Sequence, residues 1–358
     1  MLLPDASMNR IALVLIARDE ARCIERCLTS AKPWVDEMLV LDTGSSDATP
    51  ELACAAGARV ERFPWVDDFS AARNAALALT DAPWRLVLDA DEWITGAADT
   101  LAALRGMPAG FVGLISVQST FDGAGTEAIA PSWLPRVLPR GVRYTGRIHE
   151  QPDGALPRRK LPLTVAHDGY LSAQRPRKFG RNERLLRLAL AEQPHDAYLH
   201  YQLGKDFEVN GRFTDALPPY EAAHERVHPQ AAWRHDLVLR LIFTLKKLRR
   251  FEAALQLADA EMAHWQQSPD FFFTLGDMLL DWALAEPARA GELLPMIESC
   301  WQRSVDIGER PDLPDTVQGR GSWLAANNLA AFHASLGHAD EARRWREREW
   351  QMRCSLAA

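Results

Sequence analysis

The segment RLVLDADEW, residues 85–93, runs from apolar strand-forming residues straight into three carboxylates, Asp89, Asp91 and Glu92. In an extended strand, residues two apart share a side, so Asp89 and Asp91 would face one space and Ala90 the other. Carboxylates that close repel unless one is protonated or a cation lies between them. Hard divalent cations such as Mg2+ and Mn2+ take oxygen ligands and keep waters or phosphate oxygens in their shell. The chemistry indicated is metal-assisted handling of a phosphorylated substrate. The same residues would also serve as a turn and helix cap, since DADEWIT leads toward a helical stretch near Ala97.

The flanking elements bear on that choice. IALVLI (11–16), EMLVLD (37–42), ARVERF (58–63) and WRLVLD (84–89) read as short strands, the first of them apolar throughout as in a strand buried on both faces. Helical segments alternate with them: EARCIERCLTSAK, the stretch after the turn TGSSDAT, and FSAARNAALALT (69–80). Such alternation predicts a parallel sheet with right-handed crossovers and a site at the carboxyl ends of its strands. Asp19 and Glu20, Asp42, Asp67 and Asp68, and Asp89 and Asp91 all fall at or soon after those ends. LDTGSSDAT sets Asp42 before a Gly-Ser turn and Asp47 at a helix N-cap, an arrangement that suits a nucleotide but also a ligand-free turn. Arg73 and Asn74 suit a phosphate or base, although a helical arginine is also commonly solvated. Beyond about residue 107, FVGLISVQS (111–119), WLPRVLP (133–139) and LTVAHDGY (163–170) read as strands of a mixed or antiparallel half of the same domain.

From about Arg177 the texture is helical and repeats. YLHYQLGKDFEVNGRFTDALPPYEAAHERVHP (198–229) has Leu203, Gly204, Phe207, Gly211, Ala216, Tyr220 and Ala223 at tetratricopeptide spacing. RFTDAL at 212 reappears as RFEAAL at 250, and further starts fall at 273–284 and 329–345. Two domains result, 1–176 and 177–358, in keeping with a 358-residue chain. The second is expected to be a short all-α solenoid. A net charge of −7 gives no global reason to bind nucleic acid. The five cysteines are irregularly spaced and read as packing residues in a reducing compartment, including Cys23 and Cys27. The apolar run Ile11 to Ile16 is too short for a signal or transmembrane segment, which predicts a cytoplasmic chain.

LDTGSSDAT, FPWVDDFSAARNAAL, WRLVLDADEW and YTGRIHE, in this order, resemble glycosyltransferase family 2 enzymes. More narrowly they are similar to a bacterial subgroup joining a small GT-A domain to tetratricopeptide repeats, with relatives among glycocin S-glycosyltransferases and lipopolysaccharide-core glucosyltransferases. The resemblance covers roughly residues 9 to 260. It implies an α/β GT-A domain with a Rossmann-like mixed sheet, a nucleotide-sugar donor such as a UDP-sugar, and Mn2+ or Mg2+. By the same resemblance Asp91 ligates the metal, with Asp89 facing the ribose or the metal's waters and His167 as a further ligand. Asp42 corresponds to the carboxylate that reads the uracil edge, Arg73 to a basic residue on the nucleotide side, and Glu20 to the base pocket. ARDEA replaces the commoner Lys-Asn-Glu there, which leaves Arg18 and Asp19 without a matched role, and Asp168 stands where the subgroup more often has an aromatic residue.

An inverting transferase needs a general base for its acceptor, and a carboxylate suits that role. Glu150 in GRIHE, beside His149, is the first candidate and Glu92 the rival. The acceptor, whether peptide, protein or glycan, would be held by the repeats, through which a homodimer could also form. Two other classes remain open at this point: a peptide-binding scaffold with a decayed transferase domain, and a nucleotidyltransferase, which also uses paired aspartates and metal at strand ends. The arginines from Arg175 to Arg187 read as a solvated helix face, or else as a lining for an acidic acceptor.

Overall fold

A computed structural model of the chain describes residues 10–122, 127–167, 180–313 and 316–356. Asp168 and Arg175 lie outside the described residues. The chain divides into two compact units, Met1–Ala189 and Leu190–Ala358.

The first unit opens with four strands, β1 (Ile11–Ala17), β2 (Glu37–Asp42), β3 (Arg59–Arg62) and β4 (Trp84–Val87), joined through helices α1 (Ile24–Ala31), α2 (Thr49–Ala55) and α3 (Phe69–Leu77). Neighbours in the order β3-β2-β1-β4 pair in parallel. Alternate residues of β1 feed opposite faces, which is why its whole length is apolar. Leu13 and Leu15 pack with Ile24 and Leu28 of α1, while Ala12 and Val14 pack with Ala76 and Leu77 of α3.

The remaining strands extend this sheet from the far side of β4. They are β5 (Glu92–Gly96), β6 (Val112–Asp122), β7 (Glu127–Pro139) and β10 (Arg158–His167), and the full order is β3-β2-β1-β4-β7-β6-β10-β5. β7 runs antiparallel to both β4 and β6, and β10 runs parallel to β6 and antiparallel to β5. Helix α4 (Asp99–Leu104) precedes β6, and a two-stranded ribbon joins β8 (Tyr144–Thr145) to β9 (Gln151–Pro152). The mixed sheet expected from the resemblance is therefore present.

One local expectation is corrected. The chain is not extended from Asp89 to Asp91: β4 ends at Val87, and a turn follows in which the Glu92 N–H donates to the Asp89 carbonyl at 3.0 Å. Nor does DADEWIT run directly into helix. Trp93, Ile94 and Thr95 are aromatic or β-branched, and they form β5 against β10 before α4 begins.

Helix α5 (Arg181–Glu192) closes the first unit, its last residues belonging to the second. The second unit continues with α6 (Ala197–Val209), α7 (Phe213–Arg226), α8 (Arg234–Lys247), α9 (Phe251–Trp265), α10 (Pro269–Ala285), α11 (Ala290–Ile307), α12 (Trp323–Ser335) and α13 (Ala339–Leu356). They pack as successive pairs, α6 on α7, α8 on α9, α10 on α11 and α12 on α13, the helical array anticipated from the repeats. A glycine in the first helix of a pair admits an aromatic ring from the second. Gly204 faces Tyr220 and Gly276 faces Trp301. No helix among the described residues is long and apolar enough to cross a membrane. Cys23 and Cys27 are buried free thiols.

The close approach at Gly204 yields a test. An added Cβ would lie 2.5 Å from the Tyr220 ring, which is fully buried and cannot swing away. Overpacking costs about 1–3 kcal/mol, against a helix-propensity gain of about 1 kcal/mol for Ala over Gly. Gly204→Ala should lower the unfolding midpoint of the helical unit in a denaturant titration followed by circular dichroism. An unchanged or raised midpoint would show that the contact is not tight.

Candidate active site

Helix α3 starts where Asp68 accepts the Ala71 N–H at 2.9 Å, and its inward face carries Arg73 and Asn74. Asn74 clasps the β8 strand from both sides: its amide donates to the Tyr144 carbonyl and accepts the Tyr144 N–H, each at 2.8 Å. That clasp brings the loop after β8 over the helix, with the Phe69 N–H donating to the Arg147 carbonyl at 2.8 Å. Glu150 thereby reaches Arg73, whose Nε donates to its Oε1.

Arg73 is 6% exposed and bridges two acidic groups. Besides Glu150 it holds Asp89, donating from Nη2 to Oδ1 at 2.6 Å. From the opposite side Arg136, on β7, donates through Nη2 to Asp89 Oδ2 at 2.5 Å and to Glu92 Oε1 at 2.6 Å. The turn itself completes the arrangement, because the Asp89 N–H donates to Glu92 Oε2 at 2.9 Å. Two guanidiniums thus knit three carboxylates into one network. Burial alone would push the Asp89 carboxyl up, but Arg136 and Arg73 hold it well below the usual range. Glu92 moves the other way: burial raises it, Arg136 only partly offsets that, and repulsion from Asp89 and Asp91 adds to it. The arginines thus favour the ionised form of Asp89, whereas burial favours the protonated form of Glu92.

Asp91 occupies the tip of the turn. Pairing of β5 with β10 sets Glu92 opposite His167, and His167 Nε2 lies 3.3 Å from Asp91 Oδ2. Burial disfavours a charged His167, yet the hydrogen bond and charge of Asp91 outweigh it and raise its pKa. Among the described residues, no three His, Cys, Asp or Glu side chains converge as a ready metal cluster. Asp91 and His167 supply one oxygen and one nitrogen donor. That pair suits an ion that completes its shell with waters and substrate phosphates, as Mg2+ and Mn2+ do.

Asp42 and Glu20 lie at the same carboxyl edge, toward β1 and β2. Asp42 is buried at the end of β2 and accepts the Gly44 and Ser45 N–H groups at 3.2 Å. The loops after β1 and β2 are tied together: the Glu20 N–H donates to Thr49 Oγ1 at 2.8 Å, and Asp19 accepts the Ser46 N–H at 2.7 Å. Three non-glycine residues with positive φ, Asp19 (57°), Asp67 (59°) and His149 (54°), sit in loops around this edge. Such backbone costs roughly 1–3 kcal/mol per residue and persists where surrounding contacts over-determine it.

The structure thus gathers Arg73, Asp89, Asp91, Glu92, Glu150 and His167, and sets Asp42 and Glu20 in the adjoining loops. Arg136 was not singled out from the sequence. Its signal was there, a guanidinium inside the otherwise apolar strand WLPRVLP, since a buried charge requires a partner.

The sequence profile of glycosyl transferase family 2 fits residues 12–144, a span that contains β1 to β4, the carboxylate turn and Arg136. The chain belongs to that family. A TPR repeat-containing protein of Synechococcus elongatus is 33% identical over 76% of this family 2 chain and 70% of its own length. The SPbeta prophage-derived glycosyltransferase SunS of Bacillus subtilis is 26% identical over 57% of this chain, which spans only half of SunS. Among solved structures, glucosyl-3-phosphoglycerate synthase from Mycobacterium tuberculosis in complex with Mg2+ and uridine diphosphate is 29% identical, covering 31% of this chain and 44% of its own, with a TM-score of 0.27. As a family 2 member the protein is a glycosyltransferase, acting on a sugar donor and an acceptor.

Removing one guanidinium should unbalance the network. Arg136→Met leaves Glu92, 2% exposed, without its counter-ion. Breaking a buried pair in this way costs about 3–5 kcal/mol. Denaturant unfolding of the full chain should show a loss of that order in the sheet unit, whereas a change below about 1 kcal/mol would mean that the ion pairs are energetically idle.

Proposed function

We propose that this glycosyltransferase moves a sugar from a UDP-sugar to its acceptor with inversion, using a divalent cation held at Asp91 and His167. The observation that carries the reading is the 3.3 Å Asp91–His167 pair beside Asp89, at the carboxyl edge of a family 2 domain. Asp89, both of whose oxygens accept from arginines, lies next to the ion's waters or the ribose rather than at its centre. Asp42 and Glu20 take the uracil side, in keeping with their place at the ends of β2 and β1. The chemistry that Mn2+ or Mg2+ supplies when bound is to offset negative charge on the leaving diphosphate.

The acceptor's nucleophilic atom forms a bond to the anomeric carbon as the bond to the diphosphate oxygen breaks and its electron pair leaves with UDP. The acceptor proton goes to Glu150. Glu92 suits that task less well, because it is 2% exposed and both its oxygens are engaged, by Arg136 and by the Asp89 N–H. Glu150 gives one oxygen to Arg73, which orients it. Positioning of the two substrates accounts for much of the remaining acceleration. The helical repeats are proposed to present the acceptor, a peptide, protein or glycan.

Release of UDP from UDP-sugars with and without Mn2+ tests the proposal. Asp91→Asn should nearly abolish Mn2+-dependent UDP release while leaving the helical circular dichroism intact; undiminished turnover would remove Asp91 from the metal site. Glu150→Gln should slow transfer by roughly two to four orders of magnitude, the usual worth of a general base. A mild effect there, with a severe one for Glu92→Gln, would reverse the assignment. Pyrophosphate release from a nucleoside triphosphate would point instead to nucleotidyl transfer.

A further inference from the structure

Helix α1 is fastened to the segment that carries the carboxylate turn. Strand β5 lies at one end of the sheet and pairs there with β10 alone, so N–H groups on its outer side meet no neighbouring strand. One of them, that of Ile94, donates instead to Ser30 Oγ at 3.0 Å. Ser30 Oγ in turn donates to the Cys27 carbonyl at 2.7 Å, a back-bond within the helix that spends its proton and leaves a lone pair for β5.

Two neighbours on α1 reach the same segment. The buried Cys27 thiol donates to the Asp89 carbonyl at 3.5 Å, the oxygen that also accepts the Glu92 N–H and closes the turn. Arg26 lays its guanidinium over the Trp93 ring, 3.5 Å from the centroid. The helix therefore grips the chain at Asp89 and again at Trp93 and Ile94, and Asp91 lies between the two grips. One turn earlier, the Cys23 thiol donates to Glu20 Oε2 at 3.2 Å, so the same helix also steadies the loop after β1.

We propose that Ser30 is a positioning residue for the cation site: by holding the Ile94 N–H it fixes where β5 begins, and so where Asp91 stands relative to His167. This rests on the reading of the Asp91–His167 pair as the place of the cation. Ligands of a metal must be held within about 0.5 Å of their working geometry. Asp91 lies in a turn, and the β5–β10 pairing that sets Glu92 opposite His167 supports it from one side only. Ser30 supplies the support from the other. A thiol is a weak donor, so of the two hydrogen bonds from α1 to this segment the one to Ser30 is the stronger.

Titration of Mn2+ into the full chain with UDP, with free Mn2+ read by electron paramagnetic resonance against a UDP-only blank, tests this. Ser30→Ala should weaken Mn2+ binding about three- to tenfold, the worth of one hydrogen bond. Alanine favours a helix more than serine does, so a frayed α1 would not account for the loss. Ser30→Thr keeps the hydroxyl and should bind Mn2+ as the wild type does. So should Lys32→Met, which cuts a bond from the end of α1 to the Ala56 carbonyl, 2.9 Å long, and leaves β5 alone. Equal Mn2+ affinity in wild type and Ser30→Ala overturns the role of Ser30 and leaves the cation-site reading standing. An equal loss in Lys32→Met, or no recovery in Ser30→Thr, overturns it as well, because the Ser30 hydroxyl would then not be the agent. Mn2+ affinity unmoved by Asp91→Asn overturns the cation-site reading and this inference together.

Discussion

Charge neutralisation at one turn governs the first unit. Asp89 and Glu92 follow a buried strand within a few residues of each other, and the fold can place them there only because Arg73 and Arg136 meet them. Each arginine comes from a different part of the sheet domain: Arg73 from the helix that follows β3, Arg136 from the antiparallel strand β7. The parallel and antiparallel halves of the sheet are therefore joined electrostatically as well as by the β4–β7 ladder. Arg73 also carries the link onward to Glu150, so the residue proposed as base and the carboxylate beside the proposed metal site share one counter-ion.

Much of the first half was legible because β1 and β2 are short apolar runs, and because the helix between them carries one apolar face. The chemistry-bearing residues could also be picked out, since Asp42, Asp89 and Asp91 fall at or just past strand ends. Their mutual contacts could not. Arg73 and Glu150 are 77 positions apart, and Arg136 and Asp89 are 47 apart, distances that no local pattern encodes. Strand β5 was missed because its few residues sit between a turn and a helix start, and its partner β10 lies far along the chain. Arg136 was overlooked because a single arginine in a Pro-flanked apolar strand carries little weight until its burial is known.

The second unit was legible for a different reason. RFTDAL and RFEAAL open the second helices of two successive pairs, and so reveal the period directly. In two of the pairs a glycine lets a ring approach closely, Gly204 for Tyr220 and Gly276 for Trp301. The packing residues that define the repeats carry no acceptor chemistry, which is far less visible in the sequence than donor chemistry.

The central claim is that the Asp91–His167 pair, backed by the arginine-held Asp89, receives the cation that accompanies a nucleoside diphosphate. Crystals grown with Mn2+ and UDP, with anomalous diffraction recorded at the manganese edge, address it most directly. The account predicts one anomalous peak within coordination distance of an Asp91 carboxylate oxygen and His167 Nε2, with diphosphate oxygens in the same shell. Ordered UDP whose diphosphate lies away from Asp91, or manganese bound elsewhere while the Asp91–His167 hydrogen bond stays intact, would contradict it.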